Sequence, residues 1–110
     1  MKEPPDLGEG MTDPNQITRV IAILRGELPS LSERYGVASL GLFGSTARGE
    51  ARLGSDLDIL VRFDHSPGLL RFIELENYLT DLLGVPVDLV MADALKPRIR
   101  RKIMDEVVAV

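Results

Sequence analysis

From Asp56 to Phe63 an apolar residue recurs at every second position. Leu57, Ile59, Val61 and Phe63 fall on one side of an extended chain, and Asp56, Asp58, Leu60 and Arg62 on the other. A period of two predicts a strand with one buried face, so other elements must cover that face. Two further stretches supply candidate partners. Residues 37–43 form an apolar run bounded by Gly36 and Gly44, which predicts a buried strand. Residues 85–91 place Val87, Leu89 and Met91 on one face and Asp88 on the other, with Pro86 marking a sheet edge or a strand start.

Elsewhere the apolar period changes to that of a helix. Asp13-Pro14 reads as an N-cap followed by proline at the first helical position. Ile17, Val20, Ile21 and Leu24 carry that helix to about Leu28. Pro29 kinks or ends it, and residues 30–35 predict a short helical piece closed by Gly36. Ser66-Pro67 repeats the start signal for an amphipathic helix that stops at Gly84. Its stripe of Leu69, Phe72, Ile73, Leu79 and Leu83 is expected to be core. Residues 98–107 predict a last helix, and residues 44–55 a loop holding one helical turn. Residues 1–12 carry prolines, glycines and charges without an apolar period, which predicts a flexible tail before a domain over residues 13–110. The fold class that follows is α/β (α+β), a small mixed sheet of three to four strands flanked by helices.

Composition narrows the function classes. A chain of 110 residues supports one compact core. The absence of Cys excludes disulfides and thiolate metal sites and favours the cytoplasm. No apolar run reaches the roughly 18 residues that span a bilayer, and Met1-Lys2-Glu3-Pro4-Pro5 lacks the regions of a signal peptide. With 17 acidic and 13 basic residues, the net charge of −4 argues against direct binding of nucleic acid by bulk electrostatics. A bound polyanion must be held locally, by backbone donors, a few Arg residues or a cation.

The chemistry lies in a spacing: Gly44-Ser45, ten residues, then Asp56-Leu57-Asp58. Two carboxylates at i and i+2 of a strand share a face and repel unless a cation neutralises them. Hard oxygen ligands of this kind suit Mg²⁺, which binds through one or two carboxylates together with substrate phosphates. A strand leading into Gly-Ser at a tight turn offers backbone N–H groups and a hydroxyl to an anion, and Arg48 adds a charge-assisted bond to a phosphate. Asp88 lies mid-strand, and beside the Asp56–Asp58 strand it completes a set of three carboxylates. Such a set can hold two divalent ions for in-line phosphoryl transfer, with Asp88 as third ligand or as general base. Average residue usage puts the whole Gly-Ser-x10-Asp-x-Asp pattern at roughly one chance occurrence per thousand chains of this size.

The stretch Gly41-Leu42-Phe43-Gly44-Ser45-Thr46-Ala47-Arg48-Gly49-Glu50, followed by Gly54-Ser55-Asp56-Leu57-Asp58-Ile59-Leu60-Val61, resembles the minimal nucleotidyltransferase branch of the DNA polymerase β superfamily. The likeness runs from about Ile17 to Val110. It implies a polymerase-β-like nucleotidyltransferase fold, with Gly44-Ser45 holding a nucleoside triphosphate. Asp56, Asp58 and Asp88 would then bind Mg²⁺. It further implies a helical HEPN RNase toxin as partner, in a possible hetero-oligomer, with this chain as antitoxin. The implied reaction moves AMP from ATP to a tyrosine hydroxyl of that toxin. Two alternatives stand beside it: an antitoxin that neutralises by binding without catalysis, and transfer to a small molecule such as an aminoglycoside. The small size of the chain predicts that another subunit completes the acceptor site.

Other residues carry blander expectations. His65, the only His, reads as a surface turn residue without a partner at ligand or triad spacing. Arg98, Arg100, Arg101 and Lys102 read as a solvated helix face rather than a contact for RNA or an acidic partner. Glu50 and Arg52 lie in the glycine-rich loop and are assigned no role.

Overall fold

The computed structural model describes residues 14–50 and 56–110. The expected tail over residues 1–12, the cap at Asp13, and Arg52, Gly54 and Ser55 lie outside the described residues. The first helix, α1 (Pro14–Tyr35), leads into strand β1 (Val37–Phe43) and a single helical turn, α2 (Gly44–Ala47). Strand β2 (Leu57–Phe63), helix α3 (Leu69–Leu83) and strand β3 (Val87–Met91) follow. A 3₁₀ turn at Ala92–Ala94 precedes helix α4 (Pro97–Glu106) and a two-residue strand β4 (Val108–Ala109). Among the described residues no helix is long and apolar enough to cross a membrane.

The strand order is β3-β2-β1-β4. β1 runs antiparallel to β2 and β4, whereas β2 and β3 are parallel, joined through α3. The sheet is mixed and four-stranded, within the expected three to four; the apolar patterns predict β1, β2 and β3 but not β4. Pro86 immediately precedes β3, which is an edge strand, so the missing proline N–H costs no ladder bond. The outer edge of β3 is closed by α3: the Val87 N–H donates to Thr80 Oγ1 (3.1 Å) and the Leu89 N–H to Glu76 Oε2 (2.9 Å). Those side chains blunt an edge that would otherwise invite another strand.

Alternation along the strands sorts the molecule into two layers. Leu42, Leu57, Ile59, Val61, Val87 and Leu89 face α1 and α3, meeting Val20, Leu24, Leu31, Leu75, Leu79 and Leu83 in the main core. On the other face Phe43, Leu60 and Ala92 form a smaller cluster with Val90, Leu95, Ile103 and Val107, beneath α4. Gly41 lies on that second face, where a Cβ would sit 2.6 Å from Val107 Cγ2. Its missing side chain is what lets the chain after α4 lie against β1 and pair as β4.

Several expectations need correction. α1 passes through Pro29 without ending. Leu24 and Leu31, both fully buried on either side of it, pack both halves into one core and offset the loss of one backbone hydrogen bond. α3 begins at Leu69, after Gly68 rather than at Ser66-Pro67. Its buried stripe is Leu75, Leu79 and Leu83, with Phe72 and Leu82 half-buried, whereas Leu69 is 73% and Ile73 42% exposed. Ile73 stands two residues from Leu75, roughly 200° around the helix, and therefore faces away from the core. α3 does end at Gly84, whose φ is +74°. His65 and the basic residues of α4 are exposed, in line with the surface roles expected of them.

Candidate active site

The second face of the sheet changes character along its length. Leu60 and Val90 are covered by α4, but two residues earlier on the same strands stand Asp58 and Asp88. Parallel pairing puts Asp58 directly opposite Asp88, so their side chains rise together from one face. Asp56 lies one residue before β2 and is exposed. The Leu57 N–H donates to the Pro86 carbonyl (2.8 Å), which ties the start of β2 to the start of β3 and fixes the two carboxylate-bearing segments in register.

Across the other edge of β2, Phe43 pairs with Asp58, and the next residue turns the chain into α2. Gly44 adopts φ +76°, and a Cβ there would collide with Asp58 Oδ2. Only glycine allows both the left-handed backbone and the approach of that carboxylate. Ser45 follows half-buried, and Thr46 is buried. The turn is braced by its own backbone: the Arg48 N–H donates to the Gly44 carbonyl (3.1 Å) and the Glu50 N–H to the Ser45 carbonyl (2.8 Å).

Electrostatics mark Asp58 as the centre of the site. Its pKa is pushed up to about 6, first by burial, then by the negative charges of Asp88 and Asp56, with Arg48 opposing. A carboxylate so crowded by like charge gains from a cation more than an isolated one does. Among the described residues, no three His, Cys, Asp or Glu side chains stand at metal-ligand spacing as placed. The all-oxygen donor set of Asp56, Asp58 and Asp88 nonetheless has the chemistry that Mg²⁺ prefers.

One residue at this site carries no signal in motif spacing. Glu106, the last residue of α4, reaches back 62 positions in sequence. Its Oε2 accepts the Gly44 N–H at 2.9 Å, and its Oε1 accepts Arg48 Nη1 at 3.1 Å. Arg48 Nε also donates to Glu50 Oε1 at 2.9 Å, so Glu50 anchors the arginine and acquires a contact not expected of it. The Gly44 N–H, and then Arg48, hold the Glu106 carboxyl below the usual range against its partial burial, while Glu50 first and Glu106 second raise Arg48. An acidic residue at a helix C-terminus opposes the helix dipole, and that misfit is the one hint the sequence offers.

A mixed sheet with two facing carboxylates beside a glycine-serine turn defines a class of phosphoryl-handling enzymes, and known proteins show which one. A solved chain assigned as a minimal nucleotidyltransferase superposes over 99% of this chain and 100% of its own, with TM-score 0.71 and 38% identity. Residues 24–110 match the family described as Nucleotidyltransferase domain, and the chain belongs to that family of nucleotidyltransferases. It is 50% identical over 94 residues to the protein adenylyltransferase MntA of Thermococcus cleftensis, covering 86% of this chain and 95% of that one. The fold also recurs in a complex of a tri-AMPylated Shewanella oneidensis HEPN toxin with an MNT antitoxin (TM-score 0.55, 22% identity, 84% of this chain and 66% of that one).

Proposed function

We propose that this chain transfers AMP from ATP, with Mg²⁺, to a tyrosine hydroxyl of a HEPN-type toxin and thereby acts as its antitoxin. The observation that carries the reading is the register pairing of Asp58 with Asp88 beside Gly44. The similarity to a named protein adenylyltransferase over nearly the whole of both chains supports the choice of a protein acceptor. Bound Mg²⁺ would neutralise the triphosphate and lower the pKa of the attacking hydroxyl.

The protein's own groups divide the remaining work. Asp56 and Asp58 would hold the metal, with Asp88 as third ligand. The Gly44-Ser45 turn and Arg48 orient the triphosphate, so that the α-phosphorus lies in line with the incoming oxygen. Asp88 would also accept the acceptor's proton. The new bond joins the acceptor oxygen to the α-phosphorus, the α–β bridge bond breaks, and pyrophosphate leaves.

The test is transfer of label from α-labelled ATP to the partner toxin. Asp58→Asn is expected to lower the rate by roughly a hundredfold to a thousandfold, the scale on which loss of one transition-state charge partner is felt. Full transfer by Asp58→Asn, or no transfer by the wild type with Mg²⁺ and toxin, sinks the proposal.

A further inference from the structure

The two donors that Glu106 holds, the Gly44 N–H and Arg48 Nη1, are among those that the proposed function assigns to a nucleotide phosphate. A carboxylate and a phosphate oxygen are both anionic acceptors, and one N–H directed at a single acceptor cannot serve both well. The backbone around Glu106 is pinned. The Val107 N–H donates to the Ile103 carbonyl (2.9 Å), the Val110 N–H donates to the Leu40 carbonyl (3.1 Å), and β4 pairs with β1 at Leu42 and Gly41. Release of the donors therefore falls to rotation of the Glu106 side chain, not to movement of α4. No helix-dipole attraction keeps a carboxylate at this end of α4, so the donors of the turn are what hold it.

From this geometry we infer that Glu106 is an internal competitor for the phosphate-binding turn: its carboxylate stands where a phosphate oxygen of the incoming nucleotide must sit, and turns aside when the triphosphate binds. The inference rests on the nucleotide-binding reading of Gly44-Ser45 and adds to it a residue that sets affinity. Arg48 would exchange Glu106 for phosphate while keeping Glu50, so the arginine is already extended towards the ligand. Ligands rich in phosphate charge displace the carboxylate most readily, which favours a triphosphate over a monophosphate and helps the product state relax.

Calorimetric titration of the full chain with inorganic tripolyphosphate, and separately with MgATP, tests this in the wild type, Glu106→Gln and Glu106→Ala. Glutamine keeps the shape and removes the charge; alanine removes the acceptor altogether. Both variants are expected to bind tripolyphosphate roughly threefold to tenfold more tightly, the range set by losing a part-exposed charged competitor. In the wild type the Gly44 amide resonance should move on adding tripolyphosphate towards its position in Glu106→Ala with the same ligand. Binding by the wild type with equal or weaker binding by both variants overturns the inference and makes Glu106 a positioning residue for Arg48. Binding that leaves the Gly44 amide unmoved also overturns it, since the phosphate then sits elsewhere. If no form binds either ligand, the nucleotide reading itself fails.

Discussion

The two faces of the sheet obey different rules. Towards α1 and α3, buried aliphatic side chains from five elements close over one another, and Leu24, Leu31, Leu42, Ile59, Leu75 and Leu79 have no exposed surface. Towards α4 the buried hydrophobic cluster among the described residues is Phe43, Leu60 and Ala92, and two residues before Leu60 and Val90 stand Asp58 and Asp88. A strand of period two can serve both ends because each residue answers to one face alone. The stability needed to hold repelling carboxylates together is supplied on the side where no chemistry occurs.

That division can be broken experimentally, beginning with the larger effect. Leu79→Ala empties space between α3 and the sheet and is expected to cost about 2–5 kcal/mol, read from urea unfolding. Transfer activity per folded molecule should stay within about twofold of wild type. A collapse of activity at full folding would show the two faces to be coupled.

Gly44→Ala probes the boundary between them. It forces a side chain into a positive φ and against Asp58 Oδ2, at a cost of about 1–3 kcal/mol. Thermal melts should show the loss, and label transfer should fall with it. Combining Gly44→Ala with Asp58→Ala removes the collision with the carboxylate and leaves the backbone strain, so part of the stability should return. Strict additivity would mean that the collision contributes nothing.

The smallest effect is a dependence on pH. The folded pKa of Asp58, about 6, lies above its ordinary value of 3.8, so the folded chain binds that proton more tightly than the unfolded one. The resulting stability is present in full below about pH 4 and is lost as pH rises through 6. Solvent screening reduces the change to roughly 1 kcal/mol. Melting temperatures of metal-free protein between pH 4 and 7.5 should show the decline; Asp58→Asn should flatten it, and Mg²⁺ should offset it at the upper end. A wild-type curve as flat as that of Asp58→Asn would show that Asp58 is not crowded by its neighbours.

Legibility in the sequence followed the range of the interactions. β1 emerged with both of its ends because Gly36 and Gly44 bracket an apolar run. β2 and its division into core and site faces followed from the apolar residue at every second position. The pairing of Asp58 with Asp88 was an expectation that depended on strand order, which no local pattern determines. What escaped was settled by distant partners. The continuity of α1 at Pro29 depends on packing against the sheet. β4 is too short to leave a period and exists because Gly41 leaves room for Val107. Glu106 looks like any solvated acid at the end of a helix until the fold brings Gly44 and Arg48 to it.

The parallel pairing of β2 and β3 has a further consequence. An antiparallel hairpin measures its own register at the turn, but here α3 is the ruler, and the carboxylates meet only because its length is correct. One residue inserted between Gly84 and Val87 would rotate the face of β3 by half a turn, pointing Asp88 into the aliphatic layer and Leu89 towards the site. A helix on the opposite face of the sheet thus sets the tolerance of the active centre, and small insertions between it and β3 are a sharper threat to that centre than most substitutions around it.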